Sequence, residues 1–131
     1  MKLNKYRELI VWQKSIEFAE KIYLVTKHFP MEERFGLAAQ LKRSAVSIPS
    51  NIAEGAGRES KREFSQFLSI SMGSCFEAET QLILANKIGM ISNEELNNLL
   101  HASDEIQKIL VGLKKSLLSK INSSITNSRI H

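Results

Sequence analysis

Residues Gln40–Phe64 read QLKRSAVSIPSNIAEGAGRESKREF. The stretch begins as good helix sequence, meets Pro49, and ends in Gly55 and Gly57. Its apolar residues are Leu37 or Ala38, Leu41, Ala45, Ile48 and Ile52, at steps of three and four. That is the period of a helix face. The stripe keeps its phase across Pro49, whereas a loop would usually reset it. Pro49 removes the bond to the Ala45 carbonyl, so one helix kinked at Pro49 is expected. Gly55 and Gly57 are read as its stop.

The same spacing extends in both directions. From about Arg7 to His28, Leu9, Trp12, Ile16, Ala19, Tyr23 and Thr26 make one stripe. The HFPMEE segment ends that helix. Pro30 disfavours helical geometry at Phe29 and suits the start of the next helix, predicted over residues 31–56. Glu32 and Glu33 then sit at the positive end of the helix dipole.

Ser60-Lys61-Arg62-Glu63 has the pattern of a capping box. A third helix follows to about Ile88, with Phe64, Phe67 or Leu68, Ser71, Cys75, Ala78, Leu82 and Ala85 facing in. Gly89 suits the position just past its end. Ser92-Asn93-Glu94-Glu95 is a second capping box. The fourth helix runs to about Lys120, with Leu96, Leu99, His101 or Ala102, Ile106, Ile109 or Leu110, Leu113 and Leu117 inward. Residues 121–131, INSSITNSRIH, read as a flexible polar tail. Four long helices with short connections predict an all-α, antiparallel up-down four-helix bundle over residues 1–120.

Length and composition agree. A chain of 131 residues, 43% hydrophobic and 24% charged, is one ordinary globular domain. No apolar run approaches the roughly 18 residues of a membrane span. The start MKLNKYRELIVW lacks the features of a signal peptide. The lone Cys75 fits a reducing compartment, so a cytoplasmic location is expected.

The chemistry of familiar enzymes is missing from the pattern. His28, His101 and His131 include no two at helical contact spacing. Neither a clustered metal-ligand set nor the Glu-x-x-His signature of di-iron bundles occurs. GAGRES contains G-x-G but follows a helix, so it is no dinucleotide fingerprint. No Walker loop or nucleophile elbow is present. An enzyme is the least favoured class, and no catalytic residue, metal or cofactor is expected.

Two features remain. Net charge is +4, and residues 1–58 carry an excess of four cations. That points to an anionic partner such as nucleic acid, or simply to a solvated lysine-rich surface. Lys14, Lys21, Lys42, Arg43, Arg58, Lys61 and Arg62 are the candidate contacts. Arg58, Lys61 and Arg62 bracket the start of the third helix, whose amides favour a phosphate. No platform of exposed aromatics for stacking bases is expected.

The second feature is a polar seam. Gln40, Ser44, Ser47, Asn51, Glu54 and Arg58 recur at steps of four and three, about 100° around from the apolar stripe. Three readings compete. The seam packs inside the bundle and satisfies carbonyls freed at Pro49; or it is an interface between subunits; or it is a ligand site.

Trp12, the Phe29-Pro30 and Glu33 turn, Gly36-Leu37 with Gln40, SIPSNIAEG, GRES followed by EF, and Glu77 together resemble a known family. It comprises the four-helix-bundle proteins encoded by intervening sequences in bacterial 23S ribosomal RNA genes. The resemblance covers about residues 6–92. It implies an antiparallel bundle assembling into a ring-like homopentamer. A related retroelement protein, also a pentameric barrel, binds a reverse transcriptase and nucleic acid through a basic surface. The resemblance therefore implies self-association, with RNA or a nucleic-acid-binding protein as partner. It brings no catalytic residues. The alternative is a structural adaptor whose partner is another protein.

Overall fold

The computed structural model describes the backbone of residues 5–130 and the side chains of residues 5–123. Four α-helices follow in order: α1 Ile10–Thr26, α2 Leu37–Ala56, α3 Lys61–Lys87 and α4 Asn93–Ile130. Short 3-10 turns at Lys5–Glu8 and Met31–Glu33 precede α1 and α2. No strand occurs among the described residues.

α1 packs on α2 and α4, and α3 packs on the same two, which places α1 and α3 on one diagonal. The partners across α2 and α3 fix their direction. Ser44 meets Glu77 and Gln81, Ser47 meets Ser74, and the Ile48 carbonyl meets Ser71. As α2 runs forward, its partner on α3 runs backward, so the pair is antiparallel. α3 and α4 obey the same rule through Asn86 with Asn93, Glu79 with Ser103, and Ser69 with Lys114.

Each helix boundary has a local cause. The Ser60 hydroxyl accepts from the Glu63 amide at 3.1 Å at the start of α3. At the start of α4 the capping box is complete: Ser92 Oγ accepts from the Glu95 amide, and Glu95 Oε1 from the Ser92 amide. Gly89 has φ 84°. Its amide bonds to the Asn86 carbonyl and the Met90 amide to the Ala85 carbonyl, which is a Schellman motif closing α3.

Several boundaries differ from expectation. α2 begins at Leu37 rather than Met31, because Met31–Glu33 forms a separate 3-10 turn. The Glu33 carboxylate then reaches forward and accepts from the Leu37 amide at 3.0 Å. α4 does not stop at Lys120 but continues to Ile130, since no glycine or proline interrupts residues 113–130. Its polar sequence therefore belongs to the helix; His131 lies outside the described residues. α2 runs unbroken through the buried Pro49.

The core is one cluster in which Phe18, Ile22, Leu41, Ile48, Ile52, Leu68, Leu82, Ile106 and Leu110 are closed to solvent. The expected stripes of α2 and, from Leu68 to Ala85, of α3 are buried, with Phe64 partly so, and in α4 Leu99, Ile106, Leu110 and Leu117 are buried while His101 is exposed. In α1 the stripe sits one residue earlier than the apolar pattern suggests. Ile16 and Tyr23 are 42% and 44% exposed, whereas Val11, Ser15, Phe18, Ala19, Ile22 and Thr26 are buried. Ser15 can occupy the core because its hydroxyl donates to the Trp12 carbonyl at 2.8 Å. Thr26 does the same with Ile22.

Candidate functional site

The polar seam divides into a buried middle and exposed ends. Gln40, Glu54 and Arg58 are exposed, and Arg58 pairs with Glu54 at 2.9 Å on one helix face. Ser44, Ser47 and Asn51 lie against α3. Ser44 is buried, and its Oγ stands 2.7 Å from Glu77 Oε1, 2.9 Å from the Gln81 side chain and 3.0 Å from the Gln40 carbonyl. One hydroxyl proton serves one acceptor at a time, and a carboxylate is the strongest of the three. Ser47 Oγ shares a 2.8 Å bond with Ser74 Oγ. Asn51 Nδ2 donates to the Ser47 carbonyl at 2.8 Å and to its hydroxyl at 3.0 Å. The Ser71 hydroxyl donates to the Ile48 carbonyl at 3.0 Å. The carbonyls served are thus those of Gln40, Ser47 and Ile48. These bonds make the middle of the seam a zip between α2 and α3.

A second polar cluster joins α3 to α4. Glu79 Oε1 accepts from the Ser103 hydroxyl at 2.9 Å and from the Gln107 amide group, which also donates to Ser103. Cys75 is closed to solvent beside it, and burial pushes its thiol up to about 12, partly offset by a bond to Ser103. Sequence reasoning missed Glu79, Ser103 and Gln107. Ser103 and Gln107 are four apart and share a helix face, but a serine in the buried stripe is invisible to a search for apolar periodicity. No buried side-chain nitrogen or oxygen lacks a partner among the described residues. The buried polar atoms of both clusters are bonded within the protomer.

The seven candidate cations do not form one group. Lys14 is tied to Glu105 of α4 at 3.1 Å. Lys42 lies 5.2 Å from the centre of the Tyr23 ring. Arg58 stacks 4.8 Å over Phe67 besides pairing with Glu54. Lys21, Arg43, Lys61 and Arg62 are exposed. Arg58, Lys61 and Arg62 cluster at the turn between α2 and α3, where Ser60 opens α3. Lys42 lies near the other end of α2.

A third feature has no counterpart in the sequence reading. Between Arg62 and Lys87, α3 carries no cation, and beyond Glu63 in its first turn its acids are Glu77 and Glu79, both bonded to neighbouring helices. The outward side shows Ile70, Phe76, Ile83, Leu84 and Ile88, between 40% and 54% exposed. Gly73 stands among them with open space at its Cβ position. An apolar outer helix face of this kind is a candidate interaction surface.

The model of the 23S rRNA-intervening sequence protein family matches residues 7–112. The chain belongs to that family. The match takes in α1, α2 and α3, the first half of α4, and both capping boxes. Among solved structures, the chain is similar to a protein of the S23 ribosomal protein family from Bacteroides thetaiotaomicron, described as having unknown function. The two are 31% identical, with a TM-score of 0.76, covering 81% of this chain and 99% of the other. No curated protein matches the chain. No helix among the described residues is long and apolar enough to cross a membrane.

Proposed function

We propose that this family member is a non-enzymatic bundle that self-associates through the outer face of α3 and carries structured RNA on exposed cations. The apolar face from Ile70 to Ile88 is the observation that supports it. Such a face is costly to leave in water, and in a ring, five copies being what the resemblance implies, it would pack on a different patch of the next copy, because a face paired with itself closes a dimer. The polar side chains that suggested chemistry are spent inside the protomer, which supports a scaffold rather than a catalyst.

The RNA-binding surface in this reading centres on Lys61 and Arg62, with Arg43 and Lys21 adding positive field. Lys14 contributes little, being paired with Glu105. Binding to phosphates releases counterions, so affinity falls steeply with salt.

The test has two arms. Solution mass of the full chain is measured for the wild type and for Phe76→Glu with Ile83→Glu. Assembly in the first and monomers in the second support the proposal; a monomeric wild type overturns self-association. A shift assay on 23S rRNA fragments across a salt series tests the other half. Binding that is absent, or insensitive to salt, overturns RNA carriage. The rival reading, a protein adaptor built on the same apolar face, predicts that Lys61→Glu with Arg62→Glu leaves the partner bound.

A further inference from the structure

A pocket of about 240 Å³ opens where the end of α1 meets the start of α2. Its floor is apolar, with Phe29, Pro30 and Ala38. Lys27, Arg34 and Lys42 line its walls, and no acidic side chain lines it. None of these three cations is ion-paired among the described residues. The nearby Glu33 carboxylate is engaged by the Leu37 amide. Three cations line one concavity while Glu32 and Glu33 stand outside its lining, an arrangement that gives the pocket a local positive potential and gathers anions.

Phe35 follows the lining residue Arg34 in the chain and is 85% exposed. The Arg34 guanidinium lies 5.3 Å from the centre of its ring. An exposed ring of this kind, with an arginine on it, offers a nucleobase a stacking surface. Helical periodicity could not reveal such a platform, because Phe35 lies between two helices, off every stripe. The pocket is smaller than the roughly 300 Å³ at which sites for drug-sized ligands begin. It suits a phosphate and its sugar, with the base outside against Phe35.

We infer that the α1–α2 end of the bundle is a nucleotide-phosphate site, with Lys27, Arg34 and Lys42 on the phosphate and Phe35 under the base. It lies at the opposite end of α2 from Arg58, Lys61 and Arg62, roughly 30 Å away along a 20-residue helix. It is therefore separate from Lys61 and Arg62, the centre of the surface proposed for structured RNA, although Arg43 lies next to Lys42. The phosphate comes from a free nucleotide or from an unpaired strand.

Full-length, 15N-labelled protein is titrated with AMP, adenosine, inorganic phosphate and a six-nucleotide adenylate RNA. AMP is expected to shift the amides of Phe35, Ala38 and Lys42. Phosphate is expected to shift Ala38 and Lys42 but spare Phe35, and adenosine to do little. A hexamer that binds more tightly than AMP identifies a strand; equal affinities identify a free nucleotide. Arg34→Ala weakens AMP binding about tenfold through loss of a charge-assisted contact. Phe35→Ala weakens AMP but leaves phosphate unchanged. Both side chains are exposed, so both variants keep the fold, which their melting curves check. The inference is overturned if no phosphate-bearing probe shifts these amides, or if adenosine binds as well as AMP. It is also overturned if Phe35→Ala changes the mass of the assembly, because Phe35 is then a contact between copies.

Discussion

A Cβ placed on Gly55 would stand 2.6 Å from the Cβ of Phe67 and 3.0 Å from a ring carbon of Phe64. Gly55 thus lets α3 approach α2 closely for lack of a side chain. It lies within α2, buried, and the helix ends two residues later at Gly57. Reading Gly55 as part of the helix stop is therefore corrected: its role is packing. Gly57 caps α2 with φ −84°, a conformation open to any residue.

The clash at Gly55 involves a Cβ anchored to backbone, so it cannot be relieved by a rotamer change. Gly55→Ala is expected to cost about 1–3 kcal/mol, as overpacking does. Gly73→Ala has nothing within 4 Å and sits inside α3. It is expected to stabilise the protomer by about 0.5–1 kcal/mol through helix propensity. Urea melts of the two variants check the contrast; equal effects would refute the packing role.

Ser44→Ala removes the hydroxyl that bridges Gln40, Glu77 and Gln81. The loss leaves polar groups short of a partner where α2 meets α3, at a cost of about 1–2 kcal/mol. Asn51→Leu acts on the same zip, because Asn51 serves Ser47 within α2. It should lower the melting temperature without altering solution mass. A change in mass with unchanged protomer stability would return the seam to the role of a subunit interface.

Cys75 is sealed between α3 and α4, with its thiol held near 12 by burial. Only the thiolate reacts, so a thiol reagent at pH 8 is expected to leave the folded chain unmodified. Full modification should follow in denaturant. Rapid labelling of the folded protein would contradict this burial.

The Lys14 ammonium hydrogen-bonds Glu105 and, with added help from its charge and from His101, holds that carboxyl below its ordinary 4.5. A depressed carboxyl contributes stability above the unfolded pKa and loses it as pH falls through the folded one. The contribution is small because the pair faces solvent. Carboxyl-carbon NMR should place the Glu105 midpoint below that of a glutamate in an unstructured peptide. Lys14→Met should raise it; an unmoved midpoint would mean that the pair does not persist in solution.

The sequence by itself determined the four helices, most of their inward faces, the Ser60 cap, the Ser92 capping box and the family. These are local properties, because 3.6-residue periodicity and hydrogen bonds within one turn are written in neighbouring residues. It misplaced the α1 stripe by one residue, because Ser15 looks polar until its hydroxyl is seen returning to Trp12. Tertiary structure alone decided what the polar residues do. Whether Ser44 faces Glu77 or water, whether Lys14 is free or held by Glu105 some 91 positions away, and whether Gly55 ends a helix or admits Phe67 all depend on which helices become neighbours. The outward apolar face of α3 and the exposed Phe35 became visible in the same way, since exposure exists only once the rest of the chain has packed.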